Sequence, residues 1–206
     1  MLLTGDLEKL KSMLMRMAKY TYDVVSRTAK LLEEIDATSR ASIWSEVDHI
    51  SAGLDIVRRE FVNEVLMFIA RRQPLGRELL VAHTLISIAY DVYRISRYCR
   101  EIARIDSMLS PESNVSRIAD VKEIFDYAVK AVEVVLRDLV ELKPSSEKKI
   151  IEIDNKVDEY YRQLLKEVIS SDKVDRYTAL KMLIARHVER IVDHANYIEN
   201  YLKDLA

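Results

Sequence analysis

The chain has little of what interrupts a helix: three glycines and three prolines in 206 residues. A sheet protein needs more of both for its turns and corners, so this scarcity argues against a turn-rich β architecture. Cysteine is scarcer still. Cys99 stands alone, which excludes an intramolecular disulfide framework and suits a reducing compartment, with the thiol as a buried apolar filler. There is no excess of basic charge, since 32 Lys and Arg meet 34 Asp and Glu for a net charge of -2, so no global field draws in nucleic acid or an anionic membrane. Nowhere do the roughly 20 uninterrupted apolar residues of a membrane span occur. The opening MLLTGDLEKLKS carries acid where a signal peptide needs basic flanks. The expectation is a cytoplasmic protein with no nucleic-acid partner and no membrane insertion.

What is present is helical periodicity. Hydrophobic residues make up 49% of the chain, enough for a packed core, and they recur at alternating intervals of four and three. Leu3, Leu7, Leu10, Leu14, Met17, Thr21, Val24, Thr28, Leu31 and Ile35 form the seam of a first helix. Thr38 and Ser39 are positioned to cap a second, whose seam runs from Ile43 through Val47, Leu54, Val57, Phe61 and Val65 to Phe68, stopping before Gln73-Pro74-Leu75-Gly76. A third carries Val81, Leu85, Ile88, Val92, Ile95, Cys99 and Ile102. A fourth runs from Ile118 through Phe125 and Val132 to Leu142 and ends at Lys143-Pro144. A fifth holds Ile150, Ile153, Val157, Tyr161, Leu164 and Val168. The sixth, entered through Ser171 to Asp175, holds Ile184, Val188, Ile191, Ala195 and Ile198. The fold class is all-α, six long helices with short joints.

The seams repeat. Leu14 maps onto Ile118, Leu54 onto Val157 and Val92 onto Val188, at shifts of 104, 103 and 96 residues. At the last shift Ala89, Val92, Arg94, Ile95 and Ile102 meet identical residues at Ala185, Val188, Arg190, Ile191 and Ile198. Two tandem three-helix units follow, with Ser110-Pro111-Glu112 as a cap and first turn at their junction: residues 1–109 and 110–206.

Two helices of the second unit carry paired acids. Asp154 and Asp158 lie four residues apart on the fifth helix, and Glu189 and Asp193 on the sixth, so each pair points one way. If the helices are neighbours, four carboxylates converge on one groove and need protons, basic side chains or a cation to neutralise them. All-oxygen ligands suit Mg, Mn, Ca or iron, and His194 could add a nitrogen. Spacing alone equally allows solvated acidic faces paired with Lys156 and Arg190.

The strings FIARRQP (Phe68 to Pro74), IDNKVDEYY (Ile153 to Tyr161) and ARHVERIVDHANYIEN (Ala185 to Asn200) resemble the PhoU family of phosphate-uptake regulators, in that family's order. The resemblance spans essentially the whole chain. It implies two tandem three-helix bundles and a cytoplasmic, non-catalytic adaptor that often forms a homodimer. It also implies a metal ion, iron, zinc, manganese or magnesium, on the second repeat at Asp154, Asp158, Glu189 and Asp193. The partners it implies are a phosphate transporter and a signalling protein. The first repeat departs from the family's (Glu/Asp)-x-x-x-Asp pattern: Ser51 and Asp55 stand on its second helix, Tyr93 and Arg97 on its third. One metal site is therefore expected, with Arg97 satisfying Asp55 or Asp91 instead of a cation.

Other readings are weaker. A di-iron carboxylate enzyme needs two Glu-x-x-His pairs, and only Glu46 with His49 supplies one. A PhoU-like accessory of another transport system, such as one for potassium, or a metal-free scaffold would share the fold. His83 and His187 read as packing residues, Trp44 as an anchor of the second helix, and Met13, Met15 and Met17 as gap fillers.

Overall fold

A sequence so short of glycine must end its helices with other residues, and the computed structural model, which describes residues 4–33, 36–108 and 119–205, shows how. Six helices follow in order: α1 (Thr4–Leu31), α2 (Ala37–Arg72), α3 (Arg77–Ser107), α4 (Ala119–Glu141), α5 (Glu147–Ser170) and α6 (Arg176–Leu205). Gln73 closes α2 in the left-handed region, φ 49°, its N–H on the carbonyl of Ile69. Leu142 does the same after α4 at φ 52°; its N–H bonds the Leu139 carbonyl and that of Lys143 the Asp138 carbonyl, a Schellman ending that usually employs glycine. Leu142, expected as the last seam residue of the fourth helix, is thereby turned out of the core and is exposed.

The start of α2 differs from expectation. Asp36, not Thr38 or Ser39, is the N-cap: its carboxylate accepts from the N–H groups of both residues at 2.9 and 3.0 Å. A carboxylate caps more strongly here because it also meets the positive end of the helix dipole. Asp175 caps α6 in the same way, accepting from Tyr177 and Thr178, within the entry segment the sequence marked. The junction at 109/110, the Ser110-Pro111-Glu112 cap and the seam positions Leu3, Ile35 and Ile118 lie outside the described residues.

Most seam positions whose burial is described face inward. Leu10, Leu14, Met17, Thr21, Val24, Thr28 and Leu31 of α1 are buried, as are Leu54, Val57, Phe61 and Val65 of α2 and Ile88, Val92, Ile95, Cys99 and Ile102 of α3. Burial pushes the Cys99 thiol up to about 12, so it is chemically inert filler. Helices α1, α2 and α3 pack together, as do α4, α5 and α6, giving two three-helix bundles in tandem.

The bundles join like to like: α3 against α6 and α1 against α4, while among the described residues α2 and α5 touch only their own bundle. Arg176, at the start of α6, donates to the carbonyl of Met108 just past α3, so α3 and α6 run antiparallel. Along that pair, Asp91 meets His194 and the Tyr98 ring lies tilted beside that of His187. The 96-residue shift carries Asp91 onto His187 and Tyr98 onto His194, so the two contacts exchange with each other. This is what a duplicated unit packed across a pseudo-twofold axis produces. One continuous hydrophobic core crosses both bundles.

Two polar clusters lie buried at the ends of the first bundle and at the α4–α5 joint. Arg40 donates to both oxygens of Asp106 at 2.7 and 2.9 Å, and Trp44 Nε1 donates to Asp106 Oδ2 at 2.7 Å, so the tryptophan anchors α2 as expected. Asp138 accepts from the Ser145 N–H at 2.8 Å and the Ser145 hydroxyl at 2.9 Å.

Candidate functional site

Neighbouring α5 and α6 bring the four predicted acids to one face of the second bundle. Ile153 and Val157 of α5, and Val188, Ile191 and Val192 of α6, point into the core, which leaves Asp154, Asp158, Glu189 and Asp193 beside the seam and half-buried. Their charges act on one another. Burial first, then the carboxylates of Asp158 and Asp193, raise the pKa of Asp154 to about 6. Glu189 is also raised, by burial and by Asp193, with Arg186 and Arg190 working against the shift.

Arginines supply much of the neutralisation. Arg186 binds Glu189 Oε1, Arg190 binds Asp193 at 2.9 Å, and Arg162 binds Asp158 at 3.2 Å. Lys156, one of the expected cations, lies instead over the ring of Tyr127. Glu189 Oε2 is buried without a hydrogen-bond partner, with Arg190 Nε 3.8 Å away. A buried, unpartnered oxygen on a carboxylate of raised pKa, with Asp158 and Asp193 nearby, is the donor chemistry a hard cation favours. With the arginines in their present rotamers, no three His, Cys, Asp or Glu side chains among the described residues are gathered closely enough to ligate one ion. The oxygen donors suit a hard cation in kind, but to ligate one the acids would have to change rotamer toward one another as Arg186 and Arg190 withdraw.

His194 is not available in the manner expected. Its Nδ1 lies 2.6 Å from Asp91 Oδ1 in the α3–α6 interface, with Tyr90, Tyr98 and Tyr197 around the ring. This buried link between the bundles escaped the sequence reading, and so did Arg186 as the partner of Glu189. The three-residue spacing of Arg186 and Glu189 was the available signal for the second; for the first there was none within either helix alone.

In the first bundle the expected role of Arg97 is wrong. Asp55 is held by Arg58 and Arg59, at 2.9 and 2.6 Å, and Asp91 by His194, so neither acid needs Arg97, which reaches Glu101 at 3.6 Å. Neighbours on the same helix meet Asp55 at lower entropic cost than a residue on α3.

The raised pKa of Asp154 has a measurable consequence. A carboxylate whose folded pKa lies above its unfolded value contributes most below the unfolded value near 3.8, and that contribution is lost as pH rises to about 6. Partial exposure to water screens the interaction, leaving about 1 kcal/mol. Asp154→Asn is expected to stabilise the metal-free protein by that amount at neutral pH and by nothing near the unfolded pKa, in urea denaturation repeated across the range. Destabilisation at neutral pH would show that the carboxylate makes favourable contacts.

Comparison with known proteins places these features in context. The family model described as the PhoU domain matches residues 14–105 and again 119–201, one match per bundle. The chain is 24% identical over 196 residues to the phosphate-specific transport system accessory protein PhoU homolog 1 of Thermotoga maritima, covering 93% of this chain and 83% of that protein. It is 30% identical over 152 residues to the PhoU homolog of Archaeoglobus fulgidus, covering 74% and 70%. The crystal structure of PhoU from Pseudomonas aeruginosa superposes with a TM-score of 0.85 at 22% identity, over 98% of this chain and 97% of that one. The phosphate transport system regulatory protein PhoU from Streptococcus pneumoniae gives 0.76 at 17%, over 97% and 94%.

Proposed function

The chain belongs to the PhoU family, and from that premise we propose that it is an accessory regulator of a phosphate-specific transport system, working by binding and not by catalysis. The observation that carries this reading is the repeated domain match together with relatives named as accessory proteins of such systems. No described helix is long and apolar enough to cross a membrane, which agrees with an adaptor that docks on a transporter from the cytoplasm. Exposed Met15 and Tyr22, over a shallow groove between α1 and α4, offer apolar surface for a second copy in a homodimer. The two repeat units, 1–109 and 110–206, divide the labour: the second holds the metal.

The metal-holding residues in this reading are Asp154, Asp158, Glu189 and Asp193, supported by the unpartnered Glu189 oxygen and the raised Asp154. A bound cation would supply positive charge where these carboxylates now repel one another. Arg186 and Arg190 act as its competitors, closing over the acids when no ion is bound. All-carboxylate donors leave magnesium, manganese, iron and zinc as candidates, the harder ions being better matched.

Both halves of the proposal can be tested with one pair of proteins. Untagged wild type prepared without chelator is expected to carry metal in elemental analysis, and Asp158→Asn with Glu189→Gln is expected to lose it while keeping its helical signal. Equal metal in both would reject the site. Used as baits, wild type is expected to retain the ATPase component of a phosphate transporter; consistent recovery of potassium-transport components instead would replace the functional reading.

A further inference from the structure

The α3 positions that correspond to Glu189 and Asp193 are Tyr93 and Arg97, and the basic character continues along the helix. Arg97, Arg100 and Arg104 follow one another at intervals of three and four, so their side chains rise from one side of α3. They line a cavity of about 490 Å³ between α2 and α3, together with Trp44, Ser45 and Glu101. That volume is in the range of small-molecule sites.

The arginines are incompletely neutralised. Asp48 pairs with Arg100. Glu101 is shared, with Arg104 at 2.6 Å and Arg97 only at 3.6 Å. Three guanidinium groups thus face two carboxylates in a concave, partly desolvated setting that concentrates positive potential. At the 96-residue shift Arg97 meets Asp193, while Arg100 and Arg104 meet Asn196 and Asn200, so the three arginines belong to the first bundle alone and the charge is reversed at one of the three places.

We propose that this cavity binds a phosphate group, free or esterified, held by the guanidinium groups of Arg97 and Arg104 and selected over sulfate by Glu101. Guanidinium forks match the oxygen geometry of phosphate and bind it bidentately. A carboxylate among them would be a flaw in a site for any fully ionised anion. Phosphate near neutral pH still carries a proton, and that proton can be donated to Glu101. Sulfate has none to give, so its oxygens meet the carboxylate as charge against charge. The Ser45 hydroxyl in the wall adds a donor. A phosphomonoester shares the guanidinium recognition but has lost most of its second proton by neutral pH, so inorganic phosphate is the better match to Glu101. The proposal does not depend on a metal at the α5–α6 face.

Trp44 is the only tryptophan in the chain and lies in the cavity wall, so its emission reports on occupancy. Inorganic phosphate, O-phosphoserine and sulfate are titrated into the full-length protein at neutral pH and constant ionic strength, which holds charge screening fixed, with calorimetry in parallel. A saturable response at least about tenfold tighter for phosphate or O-phosphoserine than for sulfate is expected, and whichever of the two binds tighter identifies the source. Arg97→Ser with Arg104→Ser should weaken binding at least about tenfold, and Glu101→Gln should bring phosphate and sulfate to within about twofold of each other. Asp158→Asn with Glu189→Gln should leave the response unchanged, so failure of the metal reading and failure of this one register on different proteins. Absence of saturable binding by both methods, equal binding of sulfate by the wild type, or indifference to the arginine substitutions would each overturn the proposal.

Discussion

Asp106→Ala is expected to destabilise the protein by about 3–5 kcal/mol, the largest loss from any single polar side chain here. Asp106 and Arg40 are both more than nine-tenths buried. The carboxylate receives Arg40 on both oxygens and the Trp44 indole on one, while Arg40 also donates to the Leu31 carbonyl at 2.9 Å. This one cluster joins the end of α1, the start of α2 and the end of α3. Removing the acid leaves a guanidinium and an indole N–H without their partner in a place water reaches poorly, and desolvation makes that costly. Denaturant unfolding measures the loss. Replacing both members with apolar residues, Arg40→Met and Asp106→Leu, is expected to cost far less than Asp106→Ala alone, because the pair's mutual attraction mostly offsets its own desolvation. A mild Asp106→Ala would mean that water enters the cluster.

The second large effect is at the α4–α5 joint, where Asp138→Ala is expected to cost about 2–4 kcal/mol. Asp138 is fully buried and organises the turn by accepting the Ser145 N–H on Oδ2 and the Ser145 hydroxyl and Arg137 on Oδ1. Burial works to raise its pKa, but the hydrogen bonds from Ser145, Ser146 and Arg137 outweigh it and hold the carboxyl below the usual range. The sign follows directly. A lowered folded pKa contributes stability above the unfolded value of about 3.8, and that stability is lost as pH falls through the folded pKa. The wild type should therefore lose stability on acidification more steeply than Asp138→Ala, with unfolding free energies converging at the acid end. Parallel curves would show that Asp138 does not titrate on unfolding.

Much of the fold was legible because helical packing is written in local spacing. A run such as Val92, Ile95, Cys99 and Ile102 repeats with the helix's own period, and any stable arrangement must bury it. The helix ends were less legible. Asp36, Thr38 and Ser39 are all residue types that can cap, and only backbone geometry chooses Asp36 among them. Leu142 looked like one more seam residue, yet the helix had already ended with that leucine in the left-handed region, a role the sequence signals only when glycine fills it.

The acidic face was legible in part for the same reason. Four-residue spacing gathers Asp154 with Asp158 and Glu189 with Asp193 on their own helices, but it says nothing of what lies across the groove. The arginine rotamers that compete for those acids, the orphaned Glu189 oxygen and the arginine-lined cavity on α3 depend on how separate helices sit together.

By itself the sequence determined the six helices, their inward faces, the duplication and the family, because each rests on periodicity or identity along the chain. Only the tertiary structure decided that α3 and α6 meet antiparallel, that Asp91 and His194 join across that seam, and that Arg97 faces a cavity rather than a buried acid. Those are contacts between residues far apart in sequence, and their geometry is fixed by the mutual packing of whole helices, which no local pattern encodes.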